Sequence, residues 1–412
     1  MRILFLHPFG WSGEYPILVE FRRRGFEVCV LEERRNDMAG KRLLAQHFLE
    51  PGDGMHTLWY HPGRGAERAL TWPLDRFFRR AFDGRNLGHR MWVIDEALRR
   101  FAPDVVYCTD GFSYAVPAAL LKAMGLLRTP LLVGYIGGDI LDCSQIGYGR
   151  RRTPLVDWLV RTSIRHIDAM RPLCDSLARA LLKDGAAPDR ITVIPIQIGS
   201  PRETYEEVYA GRGQVRASVR ARLGIPPDAL VVMTLSANYR SKGIQDLAIA
   251  WPGILAAHPN AWWILAGPED PWLAQGVLPL LAGSESRARV RLTGRLAGRD
   301  TYEHLAAADL HVNPTLCEGL NMATVDAAAV GTPTITSDAA GISDWVERHT
   351  CGLVYPAGDA PALERAVIEA LAQQARRDRW SGRCREIIPE FTAEAVFGRL
   401  AELIAGIVQR SH

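Results

Sequence analysis

The 412-residue sequence lacks the features that would place it in several special classes of protein. No uninterrupted apolar run reaches the roughly 20 residues that a membrane-spanning helix requires. The opening stretch "MRILFLHPFGWSGEYP" has a short apolar run and no small-residue cleavage site, so it indicates a buried first strand rather than a signal peptide. The seven cysteines are scattered and form no C-x-x-C pair, which argues against a disulfide framework or a structural zinc site and favours a reducing cytoplasm.

An excess of one sign of charge is also absent, because 49 Lys and Arg stand against 46 Asp and Glu and the formal net charge is only +3. Residues 1–200 contain 28 Lys and Arg against 22 Asp and Glu, whereas the rest contains 21 against 24. This mild basic excess leaves an anionic partner or a membrane surface open for the first half. The stretch "WPLDRFFRR" (72–80) could rest on a membrane or a lipid-linked acceptor, or form an ordinary surface helix. No basic patch has the extent of a nucleic-acid site.

The length favours two domains, and both halves alternate short apolar strands with helical patterns. Such βαβ alternation predicts the α/β class, with two Rossmann-like domains whose parallel sheets are covered by helices. In the first half we expect a long helical stretch from Leu155 and then a strand at "ITVIPIQIG" (191–199). The predicted bounds are 1–198 for the first domain, 199–213 for a polar linker, 214–390 for the second domain, and about 391–412 for a terminal helix that packs back on the first domain. The default ligand site is a cleft between the two domains.

The segment "CEGLNMATVDAAAVGTP", which begins at Cys317, carries the strongest chemical signal. It follows the predicted strand "DLHVNPT", so Glu318 is expected just past the carboxyl end of that strand. A helix is predicted from about Asn321 to Val330, with Gly331 as its cap and Pro333 beyond it. Free amides at the start of this helix would bind a phosphate, whereas two carboxylates, Glu318 and Asp326, would accept from hydroxyls. A nucleotide sugar combines both groups. The alternative is an exposed loop acid and a polar residue on a mostly buried helix.

This segment, together with "GTPTITSDAAGISDWV", resembles the carboxyl-domain signature of the retaining GT-B glycosyltransferases of glycosyltransferase family 4, the glycosyl transferases group 1. The family pattern reads E-G-F-G-x-x-x-x-E-A-x-A-x-G-x-P. The stretches "YRSKGIQDLAIAW", "PDVVYCTDGFSYAVPAALL" and "FTAEAVFGRLAELI" resemble further parts of the family, and the likeness is weakest over residues 36–100. The resemblance implies the GT-B fold, in which two Rossmann-like domains face each other across a deep cleft. The first domain would bind the acceptor and the second the nucleoside-diphosphate sugar.

The resemblance also implies a role for individual residues. Glu318 would contact the donor sugar, Asp326 the ribose hydroxyls, and Lys242 with Arg240 the leaving phosphates. Asp139, at a strand end, could orient the acceptor, as could Asp110, although both could equally be turn-capping residues. The diphosphate and base would be held mainly through backbone groups and Arg295, at these positions: Gly10, Gly13, Gly294, Arg295, Gly319, Leu320, Asn321 and Met322.

The sequence departs from the family pattern at several positions. Asp326 stands where the family usually has Glu, Asn321 where it has the second glycine of G-F-G, and Ala237 where an arginine is usual. Ile136 occupies the position of a histidine that meets the sugar's C6 hydroxyl. Because an apolar side chain leaves a buried hydroxyl without a partner, Ile136 favours a donor that lacks a 6-hydroxyl, such as a 6-deoxy sugar or a pentose.

The resemblance implies transfer of a sugar with retention of configuration, without a metal and without a cofactor, the nucleotide sugar being a co-substrate. No D-x-D pair is present in the sequence. The acceptor, which could be a glycan, a lipid-linked molecule or a small natural product, is not identified by any motif. A cytoplasmic location, free or peripheral to the inner membrane face, is expected. The alternatives are a non-catalytic nucleotide-sugar-binding subunit and a dinucleotide-dependent oxidoreductase, although "HPFGWSGEY" lacks the G-x-G-x-x-G pattern that the latter requires.

Overall fold

A computed structural model describes residues 1–7, 15–33, 55–60, 71, 73–76, 87–237, 240–281 and 283–411. The described elements divide into two compact units. Unit 1 comprises Met1–Ser144, Gly149–Gln197 and Ala393–His412, and unit 2 comprises Gln145–Tyr148 and Ile198–Thr392. Strands and helices are numbered below in chain order over the described residues.

Unit 1 is built on a six-stranded parallel sheet in the order β3-β2-β1-β4-β5-β6. Its strands are β1 (Arg2–His7), β2 (Glu27–Glu33), β3 (Met55–Tyr60), β4 (Val105–Cys108), β5 (Leu131–Tyr135) and β6 (Ala169–Pro172). Its helices are α1 (Tyr15–Arg23), α2 (Leu87–Phe101), α3 (Ala115–Ala123), α4 (Pro154–Ile164), α5 (Asp175–Lys183) and the C-terminal α15 (Ala393–Ser411), with a short 3₁₀ turn at Pro188–Arg190. A second 3₁₀ turn, Ser144–Ile146, begins in unit 1 and ends in the segment assigned to unit 2.

The strands of unit 1 are nearly continuous apolar runs because helices cover both faces of a parallel sheet. All residues of β4 and β5 are buried. The C-terminal helix α15 contributes an apolar stripe to the same core, with Val396, Leu400 and Ile404 packed in one cluster with Ile3 and Phe5 of β1. Their spacing of about four residues is that of one helix face.

Unit 2 repeats this topology, with a parallel sheet in the order β12-β11-β10-β7-β8-β9. Its strands are β7 (Leu230–Leu235), β8 (Ala261–Ala266), β9 (Val290–Gly294), β10 (Leu310–Asn313), β11 (Thr334–Ser337) and β12 (Gly352–Tyr355). Its helices are α6 (Arg202–Ala210), α7 (Arg212–Arg222), α8 (Ile244–Ala257), α9 (Gly283–Ala288), α10 (Arg299–Ala307), α11 (Met322–Ala329), α12 (Ser343–Arg348), α13 (Ala360–Ala372) and α14 (Gln374–Cys384). Shorter helical turns lie at Arg240–Lys242, Leu273–Val277, Leu278–Leu280 and Arg385–Phe391.

Three local expectations from the sequence differ from the structure. The polar segment 199–213, expected to be a linker, forms α6 and begins α7, because Tyr205 and Val208 give α6 a buried face. The long helical stretch expected from Leu155 is divided into α4, β6 and α5. The expected strand "ITVIPIQIG" forms an isolated bridge at Ile191 with Met170 of β6 rather than a full strand. The amides of Thr192 and Ile194 also donate to the carbonyls of Met170 and Pro172, and the strand beside β5 is β6.

No described helix is both long and apolar enough to cross a membrane.

Candidate active site

The candidate site lies in unit 2 where the order of the sheet reverses. The strands β7 and β10 are neighbours at the centre of this sheet, and the chain continues from them toward opposite edges. The two loops that follow such strands diverge and leave a crevice at their carboxyl ends, which is where ligands bind in open α/β sheets. Lys242 lies on the loop after β7, and Glu318 lies on the loop after β10.

The two loops are joined through a close backbone approach at Gly243. This residue has φ +64°, and a Cβ built on it would lie 1.7 Å from the carbonyl oxygen of Pro314. The neighbouring carbonyl of Ser241 accepts from the amide of Leu316 at 2.8 Å and from Oγ1 of Thr315 at 2.9 Å. Only glycine fits this position, and the glycine therefore fixes Lys242 beside the loop that carries Glu318.

Lys242 and Glu318 form an ion pair between Nζ and Oε1. Their side chains are mostly buried, with 18% and 14% of the side-chain surface exposed. The amide of Glu318 donates to the carbonyl of Ala339 at 3.2 Å, which ties the loop to the segment that follows β11. The sequence placed both residues at one site, and the structure brings them into direct contact.

The start of α11 completes this part of the site. Asn321 has φ +75°, and its Oδ1 accepts from the amide of Thr324 at 2.9 Å. The first four amides of a helix have no acceptor within the helix, so those of Met322 and Ala323 are available to a ligand. The predicted helix and the left-handed Gly331 (φ +70°) that ends it are confirmed. Leu320, a predicted donor-binding position next to Gly319, has a buried side chain, so only its backbone is suited to that role.

Asp326 lies on α11 and accepts at Oδ1 from the hydroxyl of Tyr302 at 2.9 Å. Burial raises the pKa of Asp326 to about 6, and the bond from Tyr302 lowers it by less. Burial and the neighbouring Asp326 raise the pKa of Tyr302 in turn. Tyr302 on α10 also packs on Tyr205 of α6, with ring centroids 5.8 Å apart. The carboxylate is therefore held in one orientation and is half-ionised near pH 6.

The other residues predicted to bind the donor lie on neighbouring loops of unit 2. The side chain of Arg240 is exposed, while its carbonyl accepts from the amide of Gly243 at 3.2 Å. Gly294 ends β9 with φ +69°, and its carbonyl accepts from the amide of Gly267 at 2.9 Å. Arg295 beside it is exposed. Both arginines are therefore accessible to an anionic ligand.

In unit 1, Asp139 is a buried backbone cap. Its Oδ2 accepts from the amide of Gly111 at 2.7 Å, and its Oδ1 accepts from that of Gly137 at 2.8 Å. The amide of Ile136 donates to both oxygens at 3.1 Å. Burial raises the pKa of Asp139 to about 6, against the opposing effect of these amides. Both oxygens are used by the backbone, so the geometry favours the turn-capping alternative over the predicted catalytic role.

Asp110 is a second cap, with its Oδ1 accepting from the amides of Phe112 and Ser113. The predicted diphosphate-binding residues Gly10 and Gly13 lie outside the described residues.

Two family descriptions match this chain. "Glycosyl transferases group 1" matches residues 227–373, which contain the site of unit 2. "Glycosyl transferase 4-like domain" matches residues 16–197, which form most of unit 1. The chain belongs to the group 1 glycosyltransferases.

Two curated relatives of this glycosyltransferase are glycosyltransferases named for colanic acid and lipopolysaccharide core biosynthesis. WcaL of Salmonella typhimurium, assigned to colanic acid biosynthesis as a glycosyltransferase, is 26% identical over 83% of this chain and 80% of its own length. The lipopolysaccharide core biosynthesis glycosyltransferase LpsE of Rhizobium meliloti is 29% identical over 48% of this chain and 56% of its own. The match to LpsE therefore spans little more than half of that relative.

Solved structures establish the GT-B fold of this glycosyltransferase. HepE from Anabaena in complex with UDP has a TM-score of 0.72 and 18% identity, and the match covers 98% of this chain and 100% of HepE. The same protein has been solved in complex with UDP-glucose, with a TM-score of 0.70 and 17% identity.

The sequence did not indicate two residues of the glycosyltransferase site, Tyr302 and Asn313. It also did not indicate that Gly243 forms the contact that joins the two loops. Tyr302 is 24 positions from Asp326, and Asn313 is eight positions from Asn321, so only the folded chain shows these contacts. The K-G pair at residues 242 and 243 was a usable signal for the loop contact. Within the described residues there is no group of three or more His, Cys, Asp or Glu side chains that could hold a metal ion.

Proposed function

We propose that this glycosyltransferase moves a sugar from a nucleoside diphosphate to a hydroxyl group of a glycan acceptor, with retention of anomeric configuration and without a metal ion. The observation that carries the proposal is the pair of Lys242 and Glu318 at the reversal point of the sheet. This pair lies beside the start of α11, where Asn321 is the N-cap. A cation and a helix N-terminus suit a diphosphate, and an adjacent carboxylate suits the hydroxyls of a sugar.

In the proposed complex the ammonium of Lys242 and the amides of Met322 and Ala323 neutralise the leaving diphosphate. These groups are fixed before the reaction, so they stabilise the developing charge without reorganisation. Arg240 adds a second cation from the same loop. In the free protein Lys242 is paired with Glu318, so donor binding exchanges one anionic partner of Lys242 for another.

Glu318 accepts from hydroxyls of the donor sugar, and Asp326 accepts from those of the ribose. Gly294 and Arg295 flank the base. In the transfer step the bond between C1 of the sugar and the phosphate oxygen breaks, and a bond forms from C1 to the acceptor oxygen on the same face. The acceptor proton passes to the departing phosphate, so no protein nucleophile is needed.

The known proteins support this assignment of substrates. HepE has been solved with UDP and with UDP-glucose, and WcaL and LpsE are named for colanic acid and lipopolysaccharide core biosynthesis. We extend this to a nucleoside-diphosphate sugar as donor and a growing glycan as acceptor. Ile136 further favours a donor without a 6-hydroxyl. Equal turnover of a 6-hydroxy hexose donor and its 6-deoxy analogue would remove that refinement and leave the rest of the proposal intact.

A cytoplasmic location at the inner membrane face is part of the proposal, because α4 carries exposed apolar side chains among arginines. Trp158 is 57% exposed and Leu155 is 37% exposed, one turn apart on one face. Three arginines flank α4 in the sequence, Arg150, Arg152 and Arg165, and would favour anionic headgroups. Trp158→Ala should lower co-sedimentation with vesicles of anionic lipid. Equal sedimentation of the wild-type protein and the variant would remove this surface from the proposal.

The transfer proposal is tested by incubating the protein with a panel of nucleoside-diphosphate sugars and measuring release of the nucleoside diphosphate, with and without EDTA. We expect one donor to be hydrolysed slowly without metal, and Glu318→Gln to abolish the release. Glu402→Gln, at an exposed position on α15, is the matched control. Tight donor binding with neither hydrolysis nor transfer would support the non-catalytic subunit instead.

A further inference from the structure

The side chain of Asn321 lies at the centre of a polar network in unit 2. Its Nδ2 donates to Oε2 of Glu318 at 2.7 Å and to Oδ1 of Asn313 at 3.0 Å. Its Oδ1 accepts from the amide of Thr324 at 2.9 Å and from the hydroxyl of Thr324 at 2.8 Å. Asn321 is 5% exposed. Both donor hydrogens and the oxygen of the side-chain amide are therefore used.

The chemistry of the partners fixes the orientation of this amide. The backbone N–H of Thr324 can only donate, so the group that faces it must be the oxygen of Asn321. The NH₂ group then faces the carboxylate of Glu318, which can only accept when ionised. Asn313 continues the network, because its Nδ2 donates to Oγ1 of Thr336 on β11 at 3.0 Å. Glu318 is thus connected through Asn321 to two buried strands of the sheet.

We propose that Asn321 is a positioning residue that holds Glu318 for the donor sugar. Lys242 binds one carboxylate oxygen, Oε1, and Asn321 binds the other, Oε2. When a diphosphate draws Lys242 away, the bond from Asn321 remains and keeps the carboxylate in place. This inference rests on the proposed function, since it assigns Glu318 to the sugar.

At this position the sequence departs from the family pattern. In the family pattern the position is glycine, which adopts a left-handed conformation without strain. Asn321 has φ +75°, and asparagine is among the few other residues that tolerate such a value. The substitution therefore keeps the backbone of the turn and adds a side chain that both caps α11 and orients Glu318.

Two variants separate the capping role from the orienting role. Asn321→Asp keeps the left-handed turn and an oxygen for the amide of Thr324, but it places a carboxylate against Glu318. Asn321→Gly keeps the turn and loses both contacts. Because a hydrogen bond to a charged group contributes roughly 1.5–3 kcal/mol, we expect either variant to lower kcat about 10- to 100-fold at pH 8, with a smaller effect on the donor KM.

The pH dependence distinguishes positioning from a merely structural role. At low pH a protonated aspartic acid at position 321 donates its O–H to Glu318, as the amide does in the wild-type protein. The ratio of kcat for Asn321→Asp to that for the wild type should therefore rise as the pH falls from 8 to 5. The ratio for Asn321→Gly should stay constant. Asn260→Asp, at an exposed position on the loop before β8, is the matched control and should match the wild type throughout.

Activity-independent melts test the same contact. In Asn321→Asp two like charges face each other, so the melting temperature relative to Asn321→Gly should fall as the pH rises from 4 to 8. The inference is overturned if Asn321→Asp keeps wild-type kcat at every pH, or if the two variants melt in parallel across this range. A wild-type protein without activity toward any donor would refute the proposed function, while the melts would still decide whether residue 321 faces Glu318.

Discussion

Replacing Asp326 with asparagine should stabilise the protein at neutral pH and weaken donor binding. Burial raises the pKa of Asp326 to about 6 from an ordinary value of 3.8. The unfolded chain therefore loses its proton at lower pH than the folded protein does. In the wild-type protein, keeping this carboxyl buried therefore lowers the free energy of unfolding progressively as the pH rises from about 4 to about 6. Above that range the loss is constant. Asparagine does not titrate, and its oxygen still accepts from Tyr302.

The size of the effect follows from the difference of roughly two pKa units, at 1.36 kcal/mol for each unit. The change in the free energy of unfolding caused by Asp326→Asn should therefore be about 3 kcal/mol more favourable at pH 7 than at pH 4. For a unit of this length, 1 kcal/mol shifts the melting temperature by roughly 2–4 °C, so a shift on the order of 6–12 °C is expected. Stability gained in this way comes with a loss of function, as is common at binding sites.

Binding should change in the opposite direction, because only the ionised carboxylate accepts from two ribose hydroxyls. With a pKa of about 6, roughly a tenth of Asp326 is ionised at pH 5 and nearly all at pH 7.5. The affinity of the wild-type protein for its nucleotide sugar should rise about tenfold over this range, whereas that of Asp326→Asn should be flat. The diphosphate of a nucleotide sugar does not titrate there, so it does not obscure the effect.

The assay is a series of thermal melts and calorimetric titrations of the two proteins between pH 4 and pH 8. Parallel melting curves at every pH would refute the claim that burial of this carboxyl costs stability. Parallel binding curves would refute the assignment of Asp326 to the ribose, even if the melts behaved as expected.

Three further changes test the remaining parts of the site. Gly243→Ala should abolish donor binding and lower the melting temperature by several degrees, because its Cβ would meet the carbonyl of Pro314 at 1.7 Å; unchanged binding would show that the two loops act independently. Lys242 is the only lysine after residue 183, so amine acylation of this residue, followed by mass spectrometry, should slow at least tenfold when the donor is bound; equal rates would place the diphosphate elsewhere. Ile136→His should raise the turnover of a 6-hydroxy hexose donor relative to its 6-deoxy analogue, and an unchanged ratio would contradict the role given to Ile136.

Much of the architecture could be predicted because the strands of buried parallel sheets are short and apolar. The segments "RILFLH" and "EVCVLEE" are found as β1 and β2. The helix at Met322–Ala329 was predictable because a glycine and a proline mark its end. The position of Glu318 was predictable because the residue lies on the loop that follows β10.

Other parts could not be predicted, because they depend on contacts that are distant in the sequence. The strand β6 is the short sequence "AMRP", which carries no strong β signal and pairs with β5 only in the folded sheet. The opposite difference occurs at "ITVIPIQIG", where the apolar residues indicate a full strand but the segment makes only an isolated bridge and two backbone hydrogen bonds to β6. The helix α6 was hidden by polar residues, since only Tyr205 and Val208 face its core.

In the candidate site, too, local features could be predicted but contacts between distant residues could not. The pattern predicted the residues Lys242, Glu318 and Asp326, but the sequence could not show that Asn321 bonds to Glu318 or that Tyr302 bonds to Asp326. It also left two roles open for Asp139, which three backbone amides show to be a cap. Hydrogen-bond partners depend on side-chain positions that only the assembled sheet determines.

The most direct test of the central claim is a calorimetric titration of UDP, GDP, ADP and dTDP into the wild-type protein and into Lys242→Ala, without metal. Lys183→Ala, at an exposed position on α5, is the matched control. We predict that one nucleoside diphosphate binds the wild-type protein and the control equally, and that it binds Lys242→Ala at least tenfold more weakly. Equal binding by all three proteins, or binding by none, would contradict the placement of the donor diphosphate beside Lys242 and Glu318.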